Sequence, residues 1–170
     1  MHTQMLAGER RPFRGEMATF AAIARNEPLS FPPSWDRTVI DAQRAATVEF
    51  YDRTGGIAHT DDVLQSMRRS HSQPISLLAR WIVAQSVVCF DWRSQWLLPK
   101  FQFDVDGVTI RPAVAAVLME LDGTFDGWEL ATWFMEPNVW LEGSRPMDLL
   151  DGNLQAVLAA ARADRFIARG

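Results

Sequence analysis

Three histidines, one cysteine and a surplus of carboxylates are the side chains that could do chemistry in this 170-residue chain. Metal binding by histidine needs close pairing on one element, as in His-x-x-x-His or Glu-x-x-His. His2 lies in a polar, arginine-bearing start, and His59 and His71 flank predicted helices, so that spacing is missing. Cys89 sits in the apolar run Val87-Val88-Cys89-Phe90, which predicts a buried, inert thiol. As the sole cysteine it excludes an intrachain disulfide and multi-cysteine zinc sites. Asp104 with Asp106, and Glu120 with Asp122, could share acid–base work only where burial or like charge raised one pKa. They occupy polar turn sequence instead. No phosphate loop, dinucleotide fingerprint or nucleophile elbow is present. The chain reads as a non-enzyme without catalytic residues, metal or cofactor.

Function must then lie in surfaces, and composition narrows which ones. At 48% hydrophobic and 22% charged residues the chain is a globular one. Its net charge of −4 restricts any nucleic-acid binding to a local basic surface. No stretch has the length of a membrane span or the apolar run of a signal peptide, so the expectation is a cytoplasmic protein without membrane contact.

The elements that would position such surfaces follow from pattern. Met1 to Gly15 reads as a flexible start and Ala18 to Arg25 as a short helix, before Pro28, Pro32 and Pro33 impose an extended connection. From Trp35 to Asp52 apolar residues recur at helical spacing, and Gly55-Gly56 stops the helix. Thr60 reads as the N-cap of a helix to Met67, and after the polar break Ser70 to Gln73, Pro74 opens a second helix. The alternation Cys89 to Trp92, then Trp96 to Phe103 around Arg93-Ser94-Gln95, reads as a hairpin with Pro99 on an edge. Together these predict a winged helix-turn-helix-like segment. Its groove-facing residues would include Ser72, Gln73, Ser76 and Arg80, with Arg68, Arg69, Arg93 and Lys100 positioned for phosphates. Asp104 to Gly107 reads as a turn, and Pro112 begins a further helix.

The densest information lies between Asp126 and Leu150. Asp126 and Glu129 have the spacing of a capping box, so a helix should begin near Gly127 and carry Trp128, Leu130, Trp133 and Phe134 until Pro137 stops it. Asn138, Leu141 and Gly143 make a tight corner, Pro146 opens the next helix through Asp148-Leu149-Leu150, and Asn153 caps a last, alanine-rich one. Between Asp104 and Asp151 ten acids stand against Arg111 and Arg145. That face would attract a basic partner.

The series Trp133, Pro137-Asn138, Leu141, Gly143, Pro146, Asp148-Leu149-Leu150 and the alanine-rich helix resembles the C-terminal toxin-binding domain of the Xre/MbcA/ParS antitoxin family. The resemblance runs from about Asp122 to Arg162, and Phe101-Gln102-Phe103-Asp104 resembles the segment preceding that domain in longer members. It implies an antitoxin-like homo-oligomer that binds and inhibits a cognate protein toxin of the RES-domain type, which consumes NAD, and that binds operator DNA for autoregulation. The toxin-facing residues it implies are Trp133, Pro137, Asn138, Trp140, Leu141, Gly143 and Pro146, with Arg165 or Arg169 pairing a catalytic acid of the toxin. Trp140, placed in a loop, is the foremost interface residue. The alternative is a transcription regulator or adaptor that uses the same fold for self-association or another partner. The expected fold is mainly α: N-terminal helices in residues 1–56, the helix-turn-helix-like segment with its β-hairpin in 57–107, and the small helical toxin-binding-like domain in 108–170.

Overall fold

The helix predicted from Trp35 exists as α1, Pro33–Arg53, and ends where Gly55 and Gly56 take positive φ and the Gly56 N–H returns to the Tyr51 carbonyl at 2.8 Å. The computed structural model describes residues 33–104 and 108–170. The start at Met1 to Gly15, the Ala18 to Arg25 helix, and Gly107 of the predicted turn lie outside the described residues. The chain divides into two units between Ile40 and Asp41, and the description below concerns Asp41–Gly170.

The fold is mainly helical, with one small antiparallel sheet. After α1 come β1 (Ile57–His59), α2 (Thr60–Met67), α3 (Pro74–Val83), β2 (Phe90–Trp92) and β3 (Gln95–Pro99). Then follow α4 (Pro112–Leu121), α5 (Gly127–Met135), α6 (Pro146–Leu149) and α7 (Leu154–Arg169). Two helices, a polar turn and a hairpin make the winged helix-turn-helix-like segment.

Three local expectations are corrected. The hairpin's return strand lies in the middle of the sheet, in the order β1-β3-β2, so Pro99 ends a central strand and faces Ile57 across it. A proline is tolerated there because the strand stops at it: a 3-10 turn, Lys100–Gln102, replaces the expected continuation to Phe103. Thr60 is the first helical residue, and the cap position falls on His59, whose backbone is committed to β1.

The sheet joins two cores because its side chains alternate. Val88, Phe90 and Leu97 point into a cluster with Tyr51 of α1 and the buried residues of α4 to α7. Val87, Cys89 and Leu98 point the other way, into a cluster with Val63 and Met67 of α2 and Leu78 of α3. Gln102 is completely buried between them. Its carboxamide accepts from the Val88 N–H at 2.7 Å and donates to the carbonyls of Val88 and Pro99, both at 2.9 Å. A side chain thus completes the hydrogen bonding that a further strand residue would supply.

The C-terminal helices attach to this platform at two points. Tyr51 donates to the Ala131 carbonyl at 2.6 Å. At the start of α5, a Cβ on Gly127 would sit 2.0 Å from the Cys89 carbonyl oxygen, so only glycine allows this approach.

Candidate partner-binding site

The site is built from the end of α5, the corner after it, and the last turns of α7. Asp126 and Glu129 form the reciprocal box expected of them: the Glu129 N–H donates to Asp126 Oδ1 at 2.8 Å and the Asp126 N–H to Glu129 Oε2 at 2.7 Å. With α5 so begun, its interior face buries Leu130, Ala131 and Phe134 and leaves Trp133 half-buried on the side facing α7. Glu136 is extended ahead of Pro137, which ends the helix.

The corner is closed by its own backbone. Asn138 and Ser144 bond at 3.0 Å, and the Gly143 N–H returns to the Asn138 carbonyl, also at 3.0 Å. Between them a 3-10 turn, Val139–Leu141, is followed by left-handed Glu142 and Gly143. Glycine meets that requirement without a Cβ clash; at Glu142 the corner imposes it on an ordinary residue. Leu141 and Pro146 are buried and anchor the corner to the core, so they act as its foundation, while Pro137 and Gly143 are exposed.

What fixes the corner against α7 is Asp164. Its Oδ2 accepts from Trp133 Nε1 at 2.8 Å and from Asn138 Nδ2 at 2.7 Å, and its Oδ1 accepts from Trp140 Nε1 at 2.8 Å. One carboxylate therefore satisfies two indoles and an amide. Asn138 also accepts the Trp140 backbone N–H at 2.9 Å, so Trp140 is held through both main chain and ring. Three of the sequence-predicted residues, Trp133, Asn138 and Trp140, are brought together by a fourth that the sequence reading missed. The available signal was that Asp164 is the sole acid in α7.

Held this way, Trp140 has spent its polar atom internally and offers ring surface to solvent. It is 52% exposed, beside Val139 at 84%. On α7, Ile167 follows Asp164 by three residues and so shares its side of the helix; Ile167 and Phe166 are 63% and 78% exposed. At the corner itself, Val139 and the ring of Trp140 present exposed apolar surface.

Arg165 and Arg169 point elsewhere, toward the end of α4. Arg165 Nη2 lies 3.6 Å from Glu120 Oε2, a carboxylate shared with Arg162 Nε at 2.9 Å, and Arg169 donates to the Asp122 carbonyl. These are surface interactions that a partner's acid could replace at small cost.

In the helix-turn-helix-like segment, Arg68, Arg69, Ser72, Gln73, Ser76, Arg80, Arg93 and Lys100 are all exposed. Ser76 and Arg80 share one stripe of α3, but its outer face also bears exposed Ile75 and Val83. Residues 57–107 hold five acids and five bases, so this segment is neutral. Arg93 and Ser94 form a two-residue hairpin turn in which both have positive φ, the geometry of a type I′ turn made without glycine or asparagine.

Cys89 is buried, and burial, followed by the nearby Asp91 charge, pushes its thiol up to about 12. Among the described residues no group of three or more His, Cys, Asp or Glu could hold a metal ion, and no helix is long and apolar enough to cross a membrane. No family model matches the chain, and no curated protein or solved structure matches it.

Proposed function

We propose that this chain is an antitoxin-like protein whose C-terminal helical region binds and inhibits a partner toxin. The observation that carries the reading is the Asp164 node, which holds Trp140 in place with half of its surface exposed beside Val139. A tryptophan whose ring is already ordered loses little entropy on association, which is what makes such residues dominate interface energies. The resemblance of the Trp133 to Leu150 series to the Xre/MbcA/ParS domain gives the partner its class, a RES-domain toxin that consumes NAD. In this reading the end of α7 reaches the toxin's pocket, and Arg165 or Arg169 exchanges its internal partner for an acid of the toxin. Glu136 and Glu142, both exposed at the corner, would meet a basic rim.

The test is co-purification of the tagged full chain from its own cell extract, with Trp140→Ala alongside and circular dichroism to show that both are folded. A single stoichiometric partner with NAD-consuming activity, lost with Trp140→Ala, supports the reading. Equal recovery by both proteins, or recovery of the chain alone, contradicts it.

A second reading, operator binding by α2, α3 and the hairpin, rests on the exposed stripe of Gln73, Ser76 and Arg80 with Arg93 at the turn. Its check is the salt dependence of duplex binding, which steepens with each phosphate contacted.

A further inference from the structure

Away from the corner, a cleft of about 460 Å³ opens between α1 and the hairpin turn, lined by Asp41, Ala42, Arg44, Ala45, Asp91, Trp92 and Arg93. We infer that this cleft binds a small phosphate ester bearing hydroxyl or amino donors, of the nucleoside monophosphate kind, through the guanidiniums of Arg44 and Arg93, both of which line it.

Both arginines are held before any ligand arrives. The Arg44 guanidinium lies 4.9 Å from the Trp128 ring centre and that of Arg93 lies 5.2 Å from the Trp92 ring centre. The two indoles brace each other edge to face at 5.9 Å. A guanidinium over an indole face keeps its charge and can still donate N–H groups to a planar or tetrahedral oxyanion. Among the described residues neither arginine forms an ion pair. Arg93 lines the cleft from a turn that holds it at φ 50 and Ser94 at φ 65, a conformation unfavourable for both residues.

The two carboxylates set the rest of the ligand's chemistry. Asp41 and Asp91 make the lining neutral overall, so a bare dianion gains little, whereas an ester with hydroxyls or an amine can donate to them while its phosphate faces the arginines. The volume falls in the range of small-molecule sites and is too small to admit a DNA duplex, whose phosphates would also meet both acids.

Titration of the full chain with adenosine monophosphate, followed by tryptophan fluorescence and calorimetry, tests this. The expected result is saturable binding, at least tenfold weaker with adenosine or inorganic phosphate. Arg44→Ala, Arg93→Ala and the charge-preserving Arg93→Lys should each weaken binding at least tenfold, while circular dichroism confirms folding. Absence of saturation at millimolar adenosine monophosphate overturns the inference. So does binding that the arginine variants leave unchanged, or binding of phosphate or adenosine as tight as that of the ester. Arginine-dependent binding of a DNA duplex without binding of the monophosphate likewise overturns it, in favour of nucleic acid.

Discussion

Replacing Asp164 with asparagine keeps the size of the side chain and removes its charge. Three N–H groups, from Trp133, Asn138 and Trp140, then compete for one carbonyl oxygen, and the new NH2 group faces a donor. Hydrogen bonds to a charged acceptor contribute about 1.5–3 kcal/mol each and neutral ones about half of that. Asp164 is only partly buried, so water recovers some of the loss. One bond lost outright and charge assistance lost from the other two come to about 2–3 kcal/mol, a large share of an ordinary domain's stability. Urea unfolding followed by tryptophan fluorescence should show a lower midpoint with an unchanged slope. Trp140→Phe removes one of the three donors, so combining it with Asp164→Asn should cost less than the sum of the two single changes, by about 1 kcal/mol of coupling. An Asp164→Asn protein within about 0.5 kcal/mol of the parent, with additive behaviour toward Trp140→Phe, would refute the claim that this carboxylate organises the corner.

Three other outcomes follow from the platform beneath the site. Gln102→Leu keeps the volume but strands the Val88 N–H and the Val88 and Pro99 carbonyls, so denaturant titration should show a loss of about 2–4 kcal/mol. Gly127→Ala drives a methyl into the Cys89 carbonyl, a backbone atom that cannot swing away, and should cost at least about 1–3 kcal/mol by thermal unfolding. In alkali the unfolded chain ionises Cys89 near 9.0 while the folded chain holds the proton to about 12, so the unfolded state loses protons first. Stability should therefore fall as pH rises across that interval, Tyr51 adding to the fall because burial raises its pKa as well, and Cys89→Ala should flatten part of the slope.

What could be read from the sequence was what local chemistry decides. The Asp126–Glu129 box, the Asn153 cap, the Pro112 and Pro146 helix starts and the Gly55-Gly56 stop each depend on residues a few positions apart. The strand β1 escaped because three residues carry too little alternation to announce themselves, and its pairing with β3 makes central a strand whose proline suggested an edge. Gln102 looked like any polar residue near a turn, since its partner Val88 is fourteen positions away. Gly127 read as the first residue of a helix, while its need for glycine comes from Cys89 across the fold. Asp164 stands 24 to 31 positions from the groups it binds, and no spacing rule reaches so far.

The most direct measurement of the central claim is NAD turnover by the partner recovered with this chain, assayed with increasing amounts of the purified protein and of its Trp140→Ala variant. The account predicts inhibition that saturates near stoichiometric addition of the parent chain, and at least tenfold weaker inhibition by the variant. Turnover unaffected by the parent chain, or inhibited equally by both proteins, would contradict it.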